Sequence, residues 1–259
     1  MTNHIYLIRP GDTLGGIAHR FRVSLARLGS LNRIVNPDRI RAGQMLKVPD
    51  DVPPPVPLGE LSRRYEVDSR GPGAVSSGRG DRGGVSYGSY QLSAAQGRTA
   101  QFLAAEGRPW AARFTGSAAG SAQFSAAWQR CAEGSPETFD AAQHAFIERT
   151  HYAVQAALLK RTAGLDLAVH SRALQEVVWS TAVQHGPNCG IILAALRTVP
   201  EACSDAVLIR AIYAERARRS GDGTLAHFGG NSPAVQEGVA RRLDSECRDA
   251  LALLCGEDG

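Results

Sequence analysis

Two carboxylates frame the part of this sequence best equipped for chemistry. Glu66 ends a segment, Leu58–Tyr65, whose pattern predicts a helix. Asp81 follows 15 residues later in the glycine-rich run Gly78-Arg79-Gly80-Asp81-Arg82-Gly83-Gly84. A carboxyl at a helix end can lie half-buried, which raises its pKa and lets it donate a proton at neutral pH. A carboxylate on a glycine loop stays wet and ionised and can orient water from the other side of a cleft. General acid/base hydrolysis of a glycosidic bond needs that pairing. Ser86, Tyr87, Tyr90 and Gln91 follow within Val85–Leu92. They offer aromatic faces and hydrogen bonds to a sugar chain, and the intervening glycines allow close backbone approach. The plainer reading stands beside this one: a glutamate next to Arg63 or Arg64 commonly makes a surface ion pair, and an aspartate among glycines commonly shapes a turn.

A second polar segment is Val178-Trp179-Ser180-Thr181-Ala182-Val183-Gln184-His185-Gly186-Pro187-Asn188. Gln184 and His185, with Ser180 and Thr181, leave a helix terminus close to a Gly-Pro turn and are expected on the far wall of the same cleft. The alternative is core packing by Trp179 and C-terminal capping by His185. Glu148 shares a helix with His144 and Tyr152 at four-residue spacing. It is a reserve carboxylate, unless it pairs with Arg149 or a neighbouring helix. The seven histidines are scattered, and no HExxH, GxSxG or phosphate-cradling loop is present. No metal and no cofactor is expected.

The elements that must position these groups fall into two parts. Pro53, Pro54, Pro55 and Pro57 in residues 51–59 make a short, semi-rigid linker. Before it, residues 1–50 read as βααβ. His4–Ile8 is a strand, a helix capped by Asp12 or Thr13 runs to about Phe21, Ser24 caps a helix to about Leu31, Asn36-Pro37-Asp38 turns, and Gln44–Val48 is the second strand. Ile5, Leu7, Ile17, Leu28, Ile40, Leu46 and Val48 are the expected core. After the linker, residues 60–259 are mostly helical. Segments are expected at Arg98–Glu106, Ser121–Cys131, Ser135 to about Thr162, Leu174–Gln184, Gly190–Thr198, Ser204–Ser220 and Pro233–Cys255. Phe139, Phe146, Val154 and Leu158 should pack along the long one. Gly71–Leu92 interrupts the pattern as a loop with a small hairpin. The fold class is α+β.

Composition bounds the rest. Of 259 residues, 43% are hydrophobic and 21% charged, which is a soluble globular balance. No stretch approaches the roughly 20 apolar residues of a membrane span, so no stable membrane insertion is expected. Residues 1–50 hold eight basic and three acidic residues, a net +5, while the remainder is near neutral. A basic module suits an anionic surface, but no Lys/Arg run is dense enough to indicate nucleic acid. Cys131, Cys189, Cys203, Cys247 and Cys255 are odd in number and lack a CxxC pair, so mostly reduced thiols are expected, with Cys189–Cys203 the one candidate bridge. MTNHIYLIRPGDT has no basic segment leading into an apolar run, so synthesis in the cytoplasm and export by another route, or host lysis, is expected.

The stretch YLIRPGDTLGGIAHRFRVSLARLGSLNRIVNPDRIRAGQMLKVP resembles a LysM domain along its whole length. LysM domains bind N-acetylglucosamine-containing glycans such as peptidoglycan and chitin. The resemblance places the groove between Gly11, Asp12, Thr13 and Leu14 on one side and Asn36, Pro37, Asp38, Arg39 and Ile40 on the other. Gly15 and Gly16 stand where the family often has an aromatic. Residues 62–93 resemble the active-site region of the lysozyme superfamily: goose-type lysozymes, phage and secretion-system muramidases and, more remotely, chitosanases. The shared pattern is a helix ending in glutamate, a glycine loop with GD, a hairpin, and YGxxQ. The resemblance implies Glu66 as proton donor, Asp81 as the residue that positions water, and inversion at the anomeric carbon. Leu92-Ser93 stand where goose-type enzymes have a second aspartate, which leaves Asp68 as an alternative support. WSTAVQHG-like stretches also occur in this muramidase-like group.

The function expected is therefore a muramidase acting on bacterial peptidoglycan, as a monomer, in the periplasm or after delivery by a secretion system or phage lysis. A lytic transglycosylase, a chitinase or chitosanase, and a non-catalytic wall-binding protein are the alternatives. An immunity protein, a holin or a secretion apparatus is left open as a further partner.

Overall fold

A computed structural model describes residues 3–9, 12–21, 23, 25–49, 57–65, 71–78 and 84–257. The chain divides into two compact units. The first gathers residues 1–61, 156–178 and 190–259, and the second residues 62–155 and 179–189.

The first unit begins with the βααβ module: β1 (Asn3–Leu7), α1 (Leu14–Arg20), α2 (Leu25–Asn32) and β2 (Met45–Pro49). The strands pair antiparallel with Tyr6 opposite Leu46 and Leu7 opposite Met45. Ile8, Leu14, Ile17, Ala18, Phe21, Val23, Leu28, Leu46 and Val48 form the core, and Tyr6, Ile34 and Ile40 pack against it. Here the expected core needs a correction. Side chains alternate along a strand, and β1 turns Tyr6 and Ile8 inward, leaving Ile5 55% and Leu7 58% exposed. Tyr6 sets the phase: its ring meets Phe21 edge-on at 5.2 Å, and its hydroxyl donates to Asp12 Oδ2 at 2.7 Å. The expected cap is also resolved. Thr13 Oγ1 accepts from Gly16 N at 3.0 Å and caps α1, whereas Asp12 accepts from Arg9 N and ties the preceding loop. Ser24, the expected cap of α2, lies outside the described residues.

The rest of the first unit is helical. Gly59–Arg63 contributes the start of α3 (Glu60–Arg63), and α7 (Ala153–Ala163) and α8 (Arg172–His185) supply their residues 156–163 and 172–178. Then come α9 (Ile191–Leu196), α10 (Asp205–Arg216) and α11 (Pro233–Glu257). Carboxylates remote in sequence satisfy N–H groups at two helix N-termini, and at α8 they add to the local cap by Ser171 Oγ, which accepts from Leu174 N at 3.2 Å. Glu176, fully buried, accepts from Gly59 N at 2.8 Å and Leu61 N at 3.2 Å. Its other oxygen takes Arg172 Nη2 at 2.8 Å, and the same guanidinium holds the carbonyl of Pro57 at 2.7 Å. Burial raises the Glu176 pKa against the pull of these donors. Glu257 accepts from Arg172 N and Ala173 N, both at 2.8 Å, and caps α8 from the far end of the chain.

The second unit holds the hairpin region. A 3₁₀ turn at Gly71–Gly73 leads to β3 (Ser86–Tyr87) and β4 (Leu92–Ser93), then α4 (Arg98–Ala104) and a 3₁₀ segment, Arg108–Phe114, that sequence patterning missed. α5 (Ala122–Gly134) starts at Ser121, whose hydroxyl accepts from Phe124 N. α6 (Pro136–Ile147) runs into a π-helical turn, Glu148–Tyr152, before α7, so the expected long helix is interrupted by a widened turn. Its inward residues near the end are Gln155 and Leu159, both fully buried, rather than Val154 and Leu158. Phe102, Phe114, Phe124, Trp128, Phe139 and Phe146 pack as an aromatic core with Trp128 at its centre. All five cysteines are free thiols. Among the described residues no helix is long and apolar enough to cross a membrane.

Candidate functional site

Two sets of residues carry the functional expectations, and the structure treats them differently. In the N-terminal module, the start of α1 and the loop after α2 meet at a shallow depression of about 470 Å³. Leu14 opens α1 and Pro37 stands in the loop, with Leu25 and Gly29 of α2 and Arg33 and Val35 beyond it supplying the wall between them. Of the expected glycan contacts, Leu14 and Pro37 are thus brought together. Asn36 shapes the second loop, its Oδ1 accepting from Asp38 N at 2.9 Å, and Arg39 N returns to the Asn36 carbonyl. Asp38 is exposed and Ile40 packs against the core. Gly11 lies outside the described residues. The α2 wall was not anticipated; it ends at Val35, which is 98% exposed.

In the second unit, Glu66, Asp68 and Asp81 all lie outside the described residues, and so do their neighbours 67, 69, 70, 79, 80, 82 and 83. Their flanks are described. Arg63, in the last turn of α3, pairs with Asp140 Oδ2 at 2.9 Å. Asp140 Oδ1 accepts from Ser89 Oγ at 2.6 Å. Gln143 Oε1 accepts from Ser89 N at 3.0 Å, while its Nε2 and Trp128 Nε1 both donate to the Pro72 carbonyl. The turn Gly88–Gln91 is therefore fixed to α6 by directional bonds. Gly88 has no alternative: at φ +75°, a Cβ there would stand 2.0 Å from Gln143 Oε1 and 3.1 Å from the Trp128 ring. Gln91 takes a left-handed backbone, φ 49°, and its amide donates to the Gly88 carbonyl at 3.1 Å.

Tyr90, the second expected aromatic contact, is half-buried on this turn. Its hydroxyl meets His144 Nδ1 at 2.6 Å, and Arg63 lies over its ring. His144 stacks flat on Trp179, with ring centroids 4.7 Å apart. Burial, then the Arg63 charge, lowers the His144 pKa to about 4, so its ring is neutral near pH 7. Tyr87 requires a correction. It is fully buried, packs on Phe124 and Trp128, and spends its hydroxyl on Ser125 Oγ and Gly120 N. It is a core residue, because its ring is enclosed by Phe124 and Trp128 and both residues of β3 are buried. Ser86 is nearly buried, and its N–H donates to Ser76 Oγ.

The segment ending α8 divides likewise. Gln184 and His185 are half-buried at the helix terminus, which Gly186 closes at φ +93°. Ser180 and Thr181 are fully buried with Trp179 and do not line an open wall. Glu148 opens the π-helical turn, half-exposed, and Arg149 pairs with Glu106 through both carboxylate oxygens at 2.5 and 2.9 Å. Among the described residues no cluster of three or more His, Cys, Asp or Glu could hold a metal ion.

A family model described as type VI secretion system spike protein VgrG3-like, C-terminal, matches residues 58–247. A LysM domain model matches residues 6–49. The type VI secretion system spike protein VgrG3 of Vibrio cholerae serotype O1 is 39% identical over 140 residues, covering 54% of this chain. The match spans 14% of that much longer relative. A solved chitosanase complex shares 19% identity over 61% of this chain and 77% of that one, at a TM-score of 0.42.

Proposed function

Since the chain belongs to the family of type VI secretion system spike protein VgrG3-like C-terminal domains and carries a LysM domain ahead of that region, we propose that it is a peptidoglycan hydrolase delivered through a type VI apparatus. In this reading residues 1–50 hold the wall, residues 51–59 space the parts, and residues 60–259 cut the β-1,4 bond between N-acetylmuramic acid and N-acetylglucosamine. The observation that carries it is the tandem itself: a glycan-binding family match at 6–49, directly followed by a secretion-spike match at 58–247.

The chemistry assigned to the cutting region rests on sequence pattern and on what flanks it. Glu66 follows α3 by three residues and is the general acid that protonates the leaving oxygen. Asp81, on the glycine loop between Gly78 and Gly84, places the attacking water. Tyr90 and Gln91, on the fixed turn after β3, with Gln184 and His185 at the end of α8, are the sugar contacts. A single displacement by water needs carboxyl groups about 6.5–9.5 Å apart and gives an inverted, α-configured product. No step calls for a metal or cofactor.

Glu66→Gln tests the assignment. It keeps the shape and removes the titratable proton. Release of reducing ends from purified sacculi should fall about 100-fold or more, with thermal unfolding unchanged. Half-normal activity in Glu66→Gln would sink the assignment and move attention to Glu60 and Glu148. Proton NMR in the first minutes of wild-type turnover reads the stereochemistry. A β product rules out direct displacement by water placed on Asp81, and a 1,6-anhydro product identifies a lytic transglycosylase.

A further inference from the structure

A second concentration of charge in the same unit has no place in the scheme above. It lies where the first turn of α4 meets the π-helical turn Glu148–Tyr152. Arg98 is half-buried, its guanidinium 4.7 Å over the Phe146 ring. Nη1 donates to Gln101 Oε1 at 2.7 Å. Nη2 donates to Thr150 Oγ1 at 2.9 Å and reaches His151 Nδ1 at 3.4 Å. All three partners are neutral, since burial and the Arg98 charge lower the His151 pKa to about 4. Among the described residues no carboxylate pairs with Arg98. The charge it feels is that of Arg149, which Glu106 already neutralises. The guanidinium is thus held by neutral groups alone, with no opposite charge to match its own.

Donor accounting shows what would compensate it. The Thr150 hydroxyl donates to the Phe146 carbonyl at 2.7 Å, so its oxygen is left to accept from Arg98. His151 Nδ1 lies 3.0 Å from Thr150 Oγ1 and 3.4 Å from Arg98 Nη2. The groups that remain on the guanidinium are its unused N–H bonds, which are donors without exception. The widened turn brings successive residues, Thr150 and His151, onto one guanidinium. His151 stands two turns beyond His144, which holds Tyr90, about 10 Å along the helix.

We infer that Arg98, beside His151, provides a carboxylate-binding subsite, and that it takes a carboxylate carried on the wall glycan, either the lactyl group of muramic acid or the peptide attached to it. The planar guanidinium fork matches a carboxylate. This rests on the reading of the chain as a peptidoglycan-acting protein. It adds a reason for preferring peptidoglycan to a neutral N-acetylglucosamine polymer, because chitin carries no such group.

The test compares the full-length wild type with Arg98→Gln and Arg98→Lys. Three probes are used: peptide-bearing peptidoglycan fragments, the same strands with peptides removed by an amidase, and the neutral N-acetylglucosamine hexamer. Arg98→Gln should raise KM for peptide-bearing fragments about tenfold or more, the value of one charge-assisted contact. It should change kcat less than about twofold and leave behaviour toward the hexamer unchanged. Arg98→Lys should recover part of the loss. A defect that persists on peptide-free strands assigns the lactyl carboxylate, and one confined to intact fragments assigns the peptide. Unchanged KM on both peptidoglycan probes, or an equal loss on the hexamer, overturns the inference. The NMR signals of the His151 ring in the wild type, assigned with His151→Gln, report this subsite without Arg98 variants or turnover. They should shift with peptidoglycan fragments and not with the hexamer, and failure to shift overturns the inference even if Arg98→Gln does not fold. Because this readout needs no bond cleavage, it separates a failure of the subsite from a failure of the hydrolase reading.

Discussion

In the N-terminal module, the core side chains among the described residues are apolar, from Ile8 and Leu14 to Leu46 and Val48. Its hydrogen-bonding side chains, Asp12, Thr13 and Asn36, work at the rim, tying loops. The hairpin region of the second unit buries Gln143 and His144 beside its aromatics and uses them to hold the Ser89 N–H and the Tyr90 hydroxyl of one turn. Apolar burial is strong but non-directional, so it fixes a fold and tolerates small displacements. Buried hydrogen bonds add little net stability but demand one geometry, because an unmet partner is costly. The module therefore presents loops on a simple core, while the hairpin region is organised to keep Ser89, Tyr90 and Gln91 in fixed places.

The contrast can be broken most directly at Gly88. Gly88→Ala forces a methyl group against Gln143 and Trp128 at a left-handed backbone position. Gln143 cannot yield without abandoning both Ser89 and Pro72. Overpacking and strain together should cost on the order of 4 kcal/mol, read by urea unfolding. A loss below about 1 kcal/mol would mean the turn is not held as described.

The module offers a paired test of its strand phase. Ile8→Ala should cost about 3 kcal/mol as a core truncation, and binding to sacculi in a pelleting assay should fall with it. Leu7→Ala, one residue away on the solvent face, should change stability by no more than about 0.5 kcal/mol. Equal costs would return β1 to the opposite phase.

Titration separates the regions next. His144 and His151 have folded-state pKa values near 4, below the usual 6.5. Between those values the unfolded chain binds more protons, so stability present above pH 6.5 is lost as pH falls toward 4. Each histidine should contribute on the order of 1–2 kcal/mol, after discounting for the solvent that reaches part of each ring. Denaturant unfolding of the wild type between pH 7 and 4.5 should show the decline, and His144→Gln should flatten it. An unchanged slope would remove His144 from the buried network. His170 in the first unit has the opposite sign. Its hydrogen bond to Asp205 raises its pKa, so its contribution is present below 6.5 and fades as pH rises through the folded value.

The smallest effect expected is at a cap. Thr13→Ala should cost about 1 kcal/mol through the lost bond to Gly16 N, measurable as a lower urea midpoint for the module. Asp12→Ala should instead loosen the loop before α1, with a larger effect on wall binding than on stability.

Much of this architecture was legible in the sequence because it depends on local rules. The βααβ order, the start of α6 at Ser135-Pro136 and the run of helices to Pro233–Glu257 follow from caps, breakers and periodicity, and the structure moves their ends by a few residues. The hairpin itself was legible from the glycines that interrupt the helical pattern, and Tyr90 and Gln91 stand on its turn. Strand phase was not. Ile5, Leu7, Tyr6 and Ile8 are all plausible inward residues, and what separates them is Tyr6 reaching Phe21 and Asp12 from across the module.

The sequence by itself determined which residue types stand at which spacing: a glutamate after a helix, an aspartate among glycines, and a glycan-module pattern ahead of a helical body. Those properties are carried by neighbours in the chain. Tertiary structure alone decided that Tyr87 is core while Tyr90 faces outward, that Glu176 caps a helix more than 100 residues before it, and that Arg98 meets Thr150 and His151 without a carboxylate. Each of these depends on which side chain arrives from a distant segment, and whether a polar group is satisfied, buried or left to receive a ligand is settled by that arrival.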